Sequence, residues 1–337
     1  MFRRDLVGNN RAGEPFQLSH PGFARIFAPG RLTIGLFLPL WPYNGDFGQM
    51  SGQGRTIEKA DQAGLGAIWL RDVPLRVSPE SDVGQVYDPW TYAGWIAAKT
   101  AHLTIAMGSV IFTLRHPIDL AKCATSLDQL SGGRLVLGAA SGDRPREFPA
   151  YGVDFGTRDQ RFRDAVAMFR ALVSDHSDGS DLELLPKPVT GRIPLIMTGS
   201  CRQSGSWLAQ HGDGWLVYPG PTATADGPKQ LGRKIAIWRE LIPDGEFKPA
   251  VTNEWIDLVE DPLFPPTPLQ GGFILRTGRE GLLELLHRWQ EAGVNHGALG
   301  VQHGSRPAAE VVAQLCDEVL PHFPALASAA QPRSPVW

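Results

Sequence analysis

The sequence predicts a (β/α)8 TIM barrel with loop insertions at the C-terminal face of the strands, and three observations carry that prediction. Apolar runs of strand length alternate with helix-length segments about eight times along the 337 residues. Residues 103–155 show the repeating unit whole: an apolar strand, the turn Arg115-His116-Pro117, an amphipathic helix, the turn Ser131-Gly132-Gly133-Arg134, a second apolar strand and a small-residue loop. Parallel strands covered on both faces need near-continuous apolar runs, and a helical crossover is the usual join between them. Finally, no G-x-G-x-x-G follows the first strand, which argues against a doubly wound open sheet.

Taken in order, residues 1–30 read as an irregular arm, 31–323 as the barrel and 324–337 as a flexible tail. The first strand, 32–39, is stopped by Pro39 and Pro42. A loop rich in glycine and aromatics (41–53) leads to a helix at 54–63 and a second strand, 67–72, that ends on Asp72. After the loop 73–87, Asp88 at N-cap and Pro89 at N1 start a helix, because the N–H that proline lacks would be unpaired there anyway. Strand 104–112, helix 116–130 and strand 135–139 follow. Helix 158–173 shows its buried stripe as Phe162, Val166, Phe169 and Leu172. Strands 194–198 and 214–218, a helix reaching about 241 and strand 251–259 come next. Pro262, Pro265, Pro266 and Pro268 mark a loop or insertion before helix 279–292, strand 298–302 and a closing helix at 307–320.

A formal net charge of −3 with scattered Lys and Arg gives no reason to expect a nucleic-acid partner. Cys123, Cys201 and Cys316 are few, odd in number and far apart, which fits free thiols in a reducing, cytoplasmic setting. The N-terminal residues carry Arg3, Arg4 and Asp5 where a signal peptide needs an apolar core, and no apolar run is long enough to span a bilayer. His176, His211, His287, His296, His303 and His322 lack metal-ligand spacing, so no metal is expected.

In such a barrel the chemistry sits where the strands end. Gly199-Ser200-Cys201-Arg202-Gln203-Ser204, between a strand and a helix, offers backbone N–H groups, hydroxyls and a guanidinium to an anion and reads as a phosphate cradle. Gly108, followed by Ser109, interrupts an apolar strand, which marks a bulge or a close approach that a flat ring could use. His116 before Pro117 could be catalytic, but a histidine just ahead of a helix is more often a capping or packing residue. Asp143-Arg144 and Arg146-Glu147 could contact a ligand or form a solvated ion-pair loop.

The run Arg115-His116-Pro117, Leu127-Asp128-Gln129-Leu130-Ser131-Gly132-Gly133-Arg134 and Leu137-Gly138-Ala139-Ala140-Ser141-Gly142, with Tyr151-Gly152-Val153-Asp154 after it, resembles the luciferase-like monooxygenases. The Gly199 loop, Asp213-Gly214-Trp215 and Gly293-Val294-Asn295 extend the resemblance over residues 31–323. It implies a TIM-barrel oxidoreductase that binds FMN or, in one branch, a deazaflavin. A partner reductase would supply the reduced flavin for oxygenation of a small substrate, and the enzyme would be a homodimer. It places the phosphate at Ser200, Cys201 and Ser204, and the isoalloxazine ring against Gly108 and Ser109, where relatives often have a non-prolyl cis peptide. Leu38, Asp72, Ala140 and Ser141 would flank the ring, with Asp72 the candidate acid or base. One departure stands out: Val73 follows Asp72 where the luciferases carry a catalytic histidine, which leaves deazaflavin hydride transfer, or a non-catalytic flavin-binding protein, as alternatives. An unrelated phosphate-binding barrel such as an aldolase would need an essential Lys or Glu at a strand end, and none is evident.

Overall fold

The computed structural model describes residues 19–42, 52–76, 87–174 and 182–327. The arm up to residue 18, His176, the loop segments 43–51 and 77–86, and the tail from 328 lie outside the described residues. The first helix is α1 (Pro21–Ile26), and the strands are β1 (Thr33–Phe37), β2 (Ala67–Leu70), β3 (Thr104–Ile111), β4 (Leu135–Ala140), β5 (Leu195–Thr198), β6 (Gly214–Leu216), β7 (Ala250–Leu258), β8 (Thr267–Leu269), β9 (Ile274–Thr277) and β10 (His296–Gly300). Strands β1 to β7 pair in chain order, all parallel, and β10 closes the ring by pairing with both β7 and β1. His296 therefore stands opposite Thr33 on one side and Val251 on the other. Eight parallel strands closed in this way make a (β/α)8 barrel.

Helices α2 (Gln53–Gln62), α3 (Pro89–Lys99), α4 (Pro117–Leu130), α5 (Arg158–Val173), α6 (Gly205–His211), α7 (Asp226–Glu240), α8 (Arg279–Glu291) and α9 (Ala308–Gln314) connect the strands and cover the barrel. Asp88 caps α3 by accepting from Thr91 N–H at 2.9 Å, and His116 caps α4 by accepting from Ile118 N–H at 3.2 Å. Outside the ring, leucines, isoleucines and valines of the strands pack against the helices, while Phe37, Ala67, Trp69, Ala106, Val136 and Ala298 fill the interior. Among the described residues no helix is long and apolar enough to cross a membrane.

Two segments differ from the sequence reading. Residues 21–26, placed in an irregular arm, form α1, capped by His20 and led by Pro21. The cause is tertiary: Phe23, Ile26 and Phe27 join the barrel's interior cluster and plug its N-terminal mouth, where Thr104 donates to Gly22 C=O at 2.9 Å. The proline-rich stretch after β7 is a small hairpin. Strand β9 continues alongside the outer half of β7, with Trp255 opposite Ile274, and β8 runs antiparallel to β9.

A polar chain crosses the lower barrel. Trp69 Nε1–H donates to His296 Nε2 at 2.9 Å, and because an indole only donates, Nε2 accepts and Nδ1 carries the ring's proton. That Nδ1 lies 2.7 Å from Thr33 Oγ1, whose hydroxyl donates to Ile26 C=O at 2.7 Å. Burial pushes His296 down to about 3. A second device is Arg134, whose buried guanidinium donates to Ser131 C=O (2.8 Å), Thr100 Oγ1 (2.9 Å), Leu103 C=O (3.0 Å), Ala97 C=O (2.9 Å) and Thr100 C=O (3.0 Å). Those carbonyls include the last, otherwise unpartnered ones of α3, at the negative end of the helix dipole.

Two expected outcomes follow from these groups. Arg134→Met strands several buried carbonyls and lowers the unfolding free energy in urea by about 3 kcal/mol. For His296, the unfolded chain binds a proton near pH 6.5 and the folded chain only near 3, so stability is fully present above 6.5 and is lost as pH falls. The loss approaches about 1.4 kcal/mol per pH unit below that point. Urea midpoints followed from neutral to mildly acidic pH should show a flatter dependence in His296→Gln, which takes up no proton.

Candidate functional site

At the C-terminal ends of the strands a cavity of about 550 Å³ opens, within the range of roughly 300–1,000 Å³ usual for small-molecule sites. All the candidate residues line it except Leu38 and Ser204. Leu38 is fully buried in the layer between strands and helices. Ser204 is the N-cap of α6 and accepts from Trp207 N–H at 3.2 Å.

One wall is β3. Its pairing with β4 slips between Met107 and Val110, and the Gly108–Ser109 peptide between them is cis. A methyl group on Gly108 would come within 2.9 Å of both the Phe37 and Trp69 rings. The glycine thus makes room for the protein's own aromatic core, which corrects the idea that its missing side chain is space for a ligand ring. The Ser109 hydroxyl is hydrogen-bonded to that of Thr198, tying β3 to β5 across β4.

Beside it, Asp72 accepts Ile111 N–H at 2.9 Å and a bidentate pair from Arg115, one arm of it at 2.7 Å. Burial pushes its carboxyl up, against the pull of the Arg115 guanidinium. Both oxygens are committed, so this geometry uses Asp72 to hold the end of β3 and the Arg115 turn. At the exit of β4, Ser141 C=O accepts from Thr113 Oγ1 at 3.0 Å, and Gly142 turns with φ 78° between Ile111 and Phe148.

The loop after β5 has the conformation an anion seat needs. Gly199, Cys201 and Arg202 have φ of 59°, 45° and 61°, and left-handed residues of this kind gather N–H groups on one side of the chain. The loop is pinned on the other side. Trp215 Nε1–H donates to Gly199 C=O at 2.8 Å, and the Gln203 amide donates to Asp159 C=O at 2.9 Å. The Cys201 thiol points at Thr198 C=O (3.1 Å) and Ala139 C=O (3.4 Å); burial pushes it up to about 12, so it stays a neutral anchor. Ser200 Oγ accepts from Arg202 N–H at 3.2 Å.

Facing this loop is Arg158, the first residue of α5, which also lines the cavity. It donates to Phe155 C=O at 2.6 Å and lies 3.5 Å over that ring, while its Nε is buried with no hydrogen-bond partner. Burial lowers its pKa, and the charge of Arg202 adds to the effect. Two guanidiniums close enough to repel each other, one with an unmatched buried donor, beside a left-handed loop fit a phosphate.

The opposite wall is β7. Trp255 packs 6.0 Å from Phe37 and 6.0 Å from Phe273 of the hairpin, with Arg71 over its face at 5.4 Å. Glu254, before it, is buried, and burial pushes its carboxyl up to about 7. Arg158 and Glu254 escaped the sequence reading. A signal existed for Glu254: a charged residue inside the otherwise strand-like run Val251-Thr252-Asn253-Glu254-Trp255-Ile256. For Arg158, at the start of an amphipathic helix, there was none. Among the described residues no cluster of His, Cys, Asp and Glu could hold a metal ion.

Residues 41–241 match the family described as luciferase-like monooxygenase, and the chain belongs to that family. An uncharacterized Mycobacterium tuberculosis protein is 29% identical over 176 residues, 50% of this chain and 61% of that protein. The chain thus spans about three fifths of the curated relatives it matches first. Among solved structures, monooxygenase RslO1 from Streptomyces bottropensis superposes with a TM-score of 0.72 at 19% identity, covering 86% of this chain and 99% of that one. An F420-dependent secondary alcohol dehydrogenase, solved with an F420-acetone adduct, gives 0.65 at 18% identity, covering 87% and 98%. Both show the shared fold.

The packing around Gly108 sets one expected result. Gly108→Ala overfills the barrel core between Phe37 and Trp69 and lowers stability by about 1–3 kcal/mol. Gly94→Ala, on α3 with open space around it, gains a fraction of about 1 kcal/mol. Denaturant midpoints of the two variants should move in opposite directions.

Proposed function

We propose that this protein is a flavin-dependent oxidoreductase, a monooxygenase that uses reduced FMN and O2 on a small organic substrate. The observation that carries the reading is the anion seat: the left-handed Gly199–Arg202 loop facing Arg158, whose buried Nε has no hydrogen-bond partner, at the mouth of the barrel. Arg158, Arg202 and the loop N–H groups would hold the cofactor's phosphate, and Gly108, Ser109, Ala140 and Ser141 would border its ring. When bound, FMN supplies the two-electron and oxygen chemistry. The chain's own contributions are orientation, a charged seat and a cavity at the mouth of the barrel. Phe37, Trp255 and Phe273 give that cavity an apolar side where a substrate can lie. Likeness to the Streptomyces monooxygenase supports the reading. A separate reductase as the source of reduced flavin, a homodimeric assembly and a cytoplasmic location belong to the same proposal.

A second reading, deazaflavin-dependent hydride transfer, is favoured by two features. Val73 stands where the luciferases have a histidine, and Glu254 offers a carboxyl able to hold a proton at neutral pH. Likeness to the F420-dependent alcohol dehydrogenase supports it.

Fluorescence titration of the purified protein with FMN, riboflavin and a deazaflavin tests both. FMN binds, and Arg158→Ala and Arg202→Ala each weaken it about 10- to 100-fold through loss of a charge-assisted hydrogen bond. Riboflavin, which lacks the phosphate, is unaffected by either change. Tighter binding of the deazaflavin selects the second reading, and uptake of neither cofactor refutes both.

A further inference from the structure

Glu254 lies midway along β7, near the last residues of that strand that pair with β10, is 5% exposed and lines the cavity on the side of Trp255 and Phe273. Its Oε1 accepts the N–H of Trp255 at 3.0 Å, and the hydroxyl of Thr222, on the loop after β6, also bonds the carboxyl. Charged and titratable groups do surround this wall. Arg71 lies over the Trp255 ring, His303 packs 5.2 Å from it, Tyr218 borders the cavity from the loop after β6, and Asp72 is bound to Arg115 across it. None of them acts on Glu254 strongly enough to offset its burial. Three other deeply buried acids among the described residues are treated differently. Asp213 is bound by Arg170 and Arg192, Asp257 by Arg276, and Asp61 by three backbone N–H groups. A buried carboxyl with two neutral donors and no cation keeps its proton until near neutrality, the condition under which an acid can both give and take one.

We propose that Glu254 exchanges a proton with the reacting oxygen of the substrate, which makes the substrate a molecule whose reacting carbon bears a hydroxyl or carbonyl group. The inference rests on the oxidoreductase reading above, with the flavin-type cofactor as the two-electron partner. In the direction of carbonyl reduction, a flavin-class reductant supplies the hydride for the new C–H bond, the C=O π pair moves onto oxygen, and the O–H bond of the Glu254 carboxyl breaks as a new O–H bond forms on that oxygen. The electron pair of the broken O–H bond stays on the carboxylate, which the Trp255 N–H and the Thr222 hydroxyl already face. In the direction of alcohol oxidation the same proton returns to Glu254.

The test has two arms. In the first, the cofactor-free protein is treated with the apolar reagent dicyclohexylcarbodiimide, which attacks protonated carboxyls in apolar surroundings, and labelled peptides are mapped by mass spectrometry across pH. Glu254 is labelled, with a neutral midpoint, and Glu254→Gln removes that peptide's label. Absence of label at Glu254, or label that does not vary with pH through neutrality, overturns the proposal, whatever the outcome of the cofactor titration. In the second, the cofactor-loaded enzyme is assayed on a panel of alcohols, aldehydes and ketones. Glu254→Gln lowers kcat at least tenfold, more than KM changes, and abolishes the neutral limb of the pH profile, while Glu254→Asp keeps that limb at a lower pH. A Gln variant with the parent's kcat and pH profile on any compound turned over overturns the proposal as well.

Discussion

The barrel interior has to be filled by rings and the backbone has to leave room for them; that constraint fixes much else in the molecule. His296 at the bottom, with Trp69, Phe37 and Trp255 above it, occupies the lumen, and the strands beside these rings carry glycine where a side chain would collide. A Cβ on Gly35 would stand 2.7 Å from His296 Nε2, one on Gly108 2.9 Å from Phe37 and Trp69, and one on Gly300 2.0 Å from the Trp255 indole. The cavity is an outcome of the same packing. Its floor is the top of this column of rings, and the shifted β3–β4 pairing lies where Gly108 passes Phe37 and Trp69. An alanine in any of these places would have to move a ring that other rings already hold.

This constraint also shows why the fold was legible in the sequence and the site only half so. Eight apolar runs separated by helical segments announce parallel strands, since each must be covered on two faces, and the chain has no other way to bury so many of them. Asp88-Pro89 and His116-Pro117 gave two helix starts because capping is a local matter. Local rules failed at α1, a short helix that exists because the barrel mouth receives Phe23, Ile26 and Phe27. They failed again at the proline-rich hairpin, whose β9 needs the outer edge of β7 for a partner. Residues on loops that follow strands could be nominated from position alone, and Asp72, Ser141 and Ser200, so nominated, line the cavity; Ser109, inside β3, was nominated from the glycine before it. What position could not say is how each side chain is used. Cys201 and Asp72 hydrogen-bond to backbone at the strand ends, whereas Arg158, which no pattern marked, lines the cavity beside the loop after β5.

Buried charge separates the two ends of the barrel. At the N-terminal end three polar groups among the described residues are fully matched. Arg134 spends five hydrogen bonds on backbone and hydroxyl oxygens, Asp61 receives three backbone N–H groups, and the Trp69–His296–Thr33 chain ends on a helix carbonyl. Such groups are costly to disturb and do nothing but hold, because every donor and acceptor is already satisfied.

At the C-terminal end the matching is incomplete in a patterned way. Arg158 keeps a buried Nε without an acceptor, near a second guanidinium, and Glu254 keeps a carboxyl without a cation. A folded chain tolerates an unmatched buried donor and an unmatched buried acid only if the rest of the fold carries their cost, and here they stand on opposite walls of one cavity. A ligand that satisfied both would be anionic where it meets Arg158 and would carry a proton-accepting or proton-donating oxygen where it meets Glu254. One small molecule need not do both. An anionic cofactor seated on the β5 loop and an oxygen-bearing substrate against β7 would divide the task, with the ring column of Phe37 and Trp255 as the surface on which they meet.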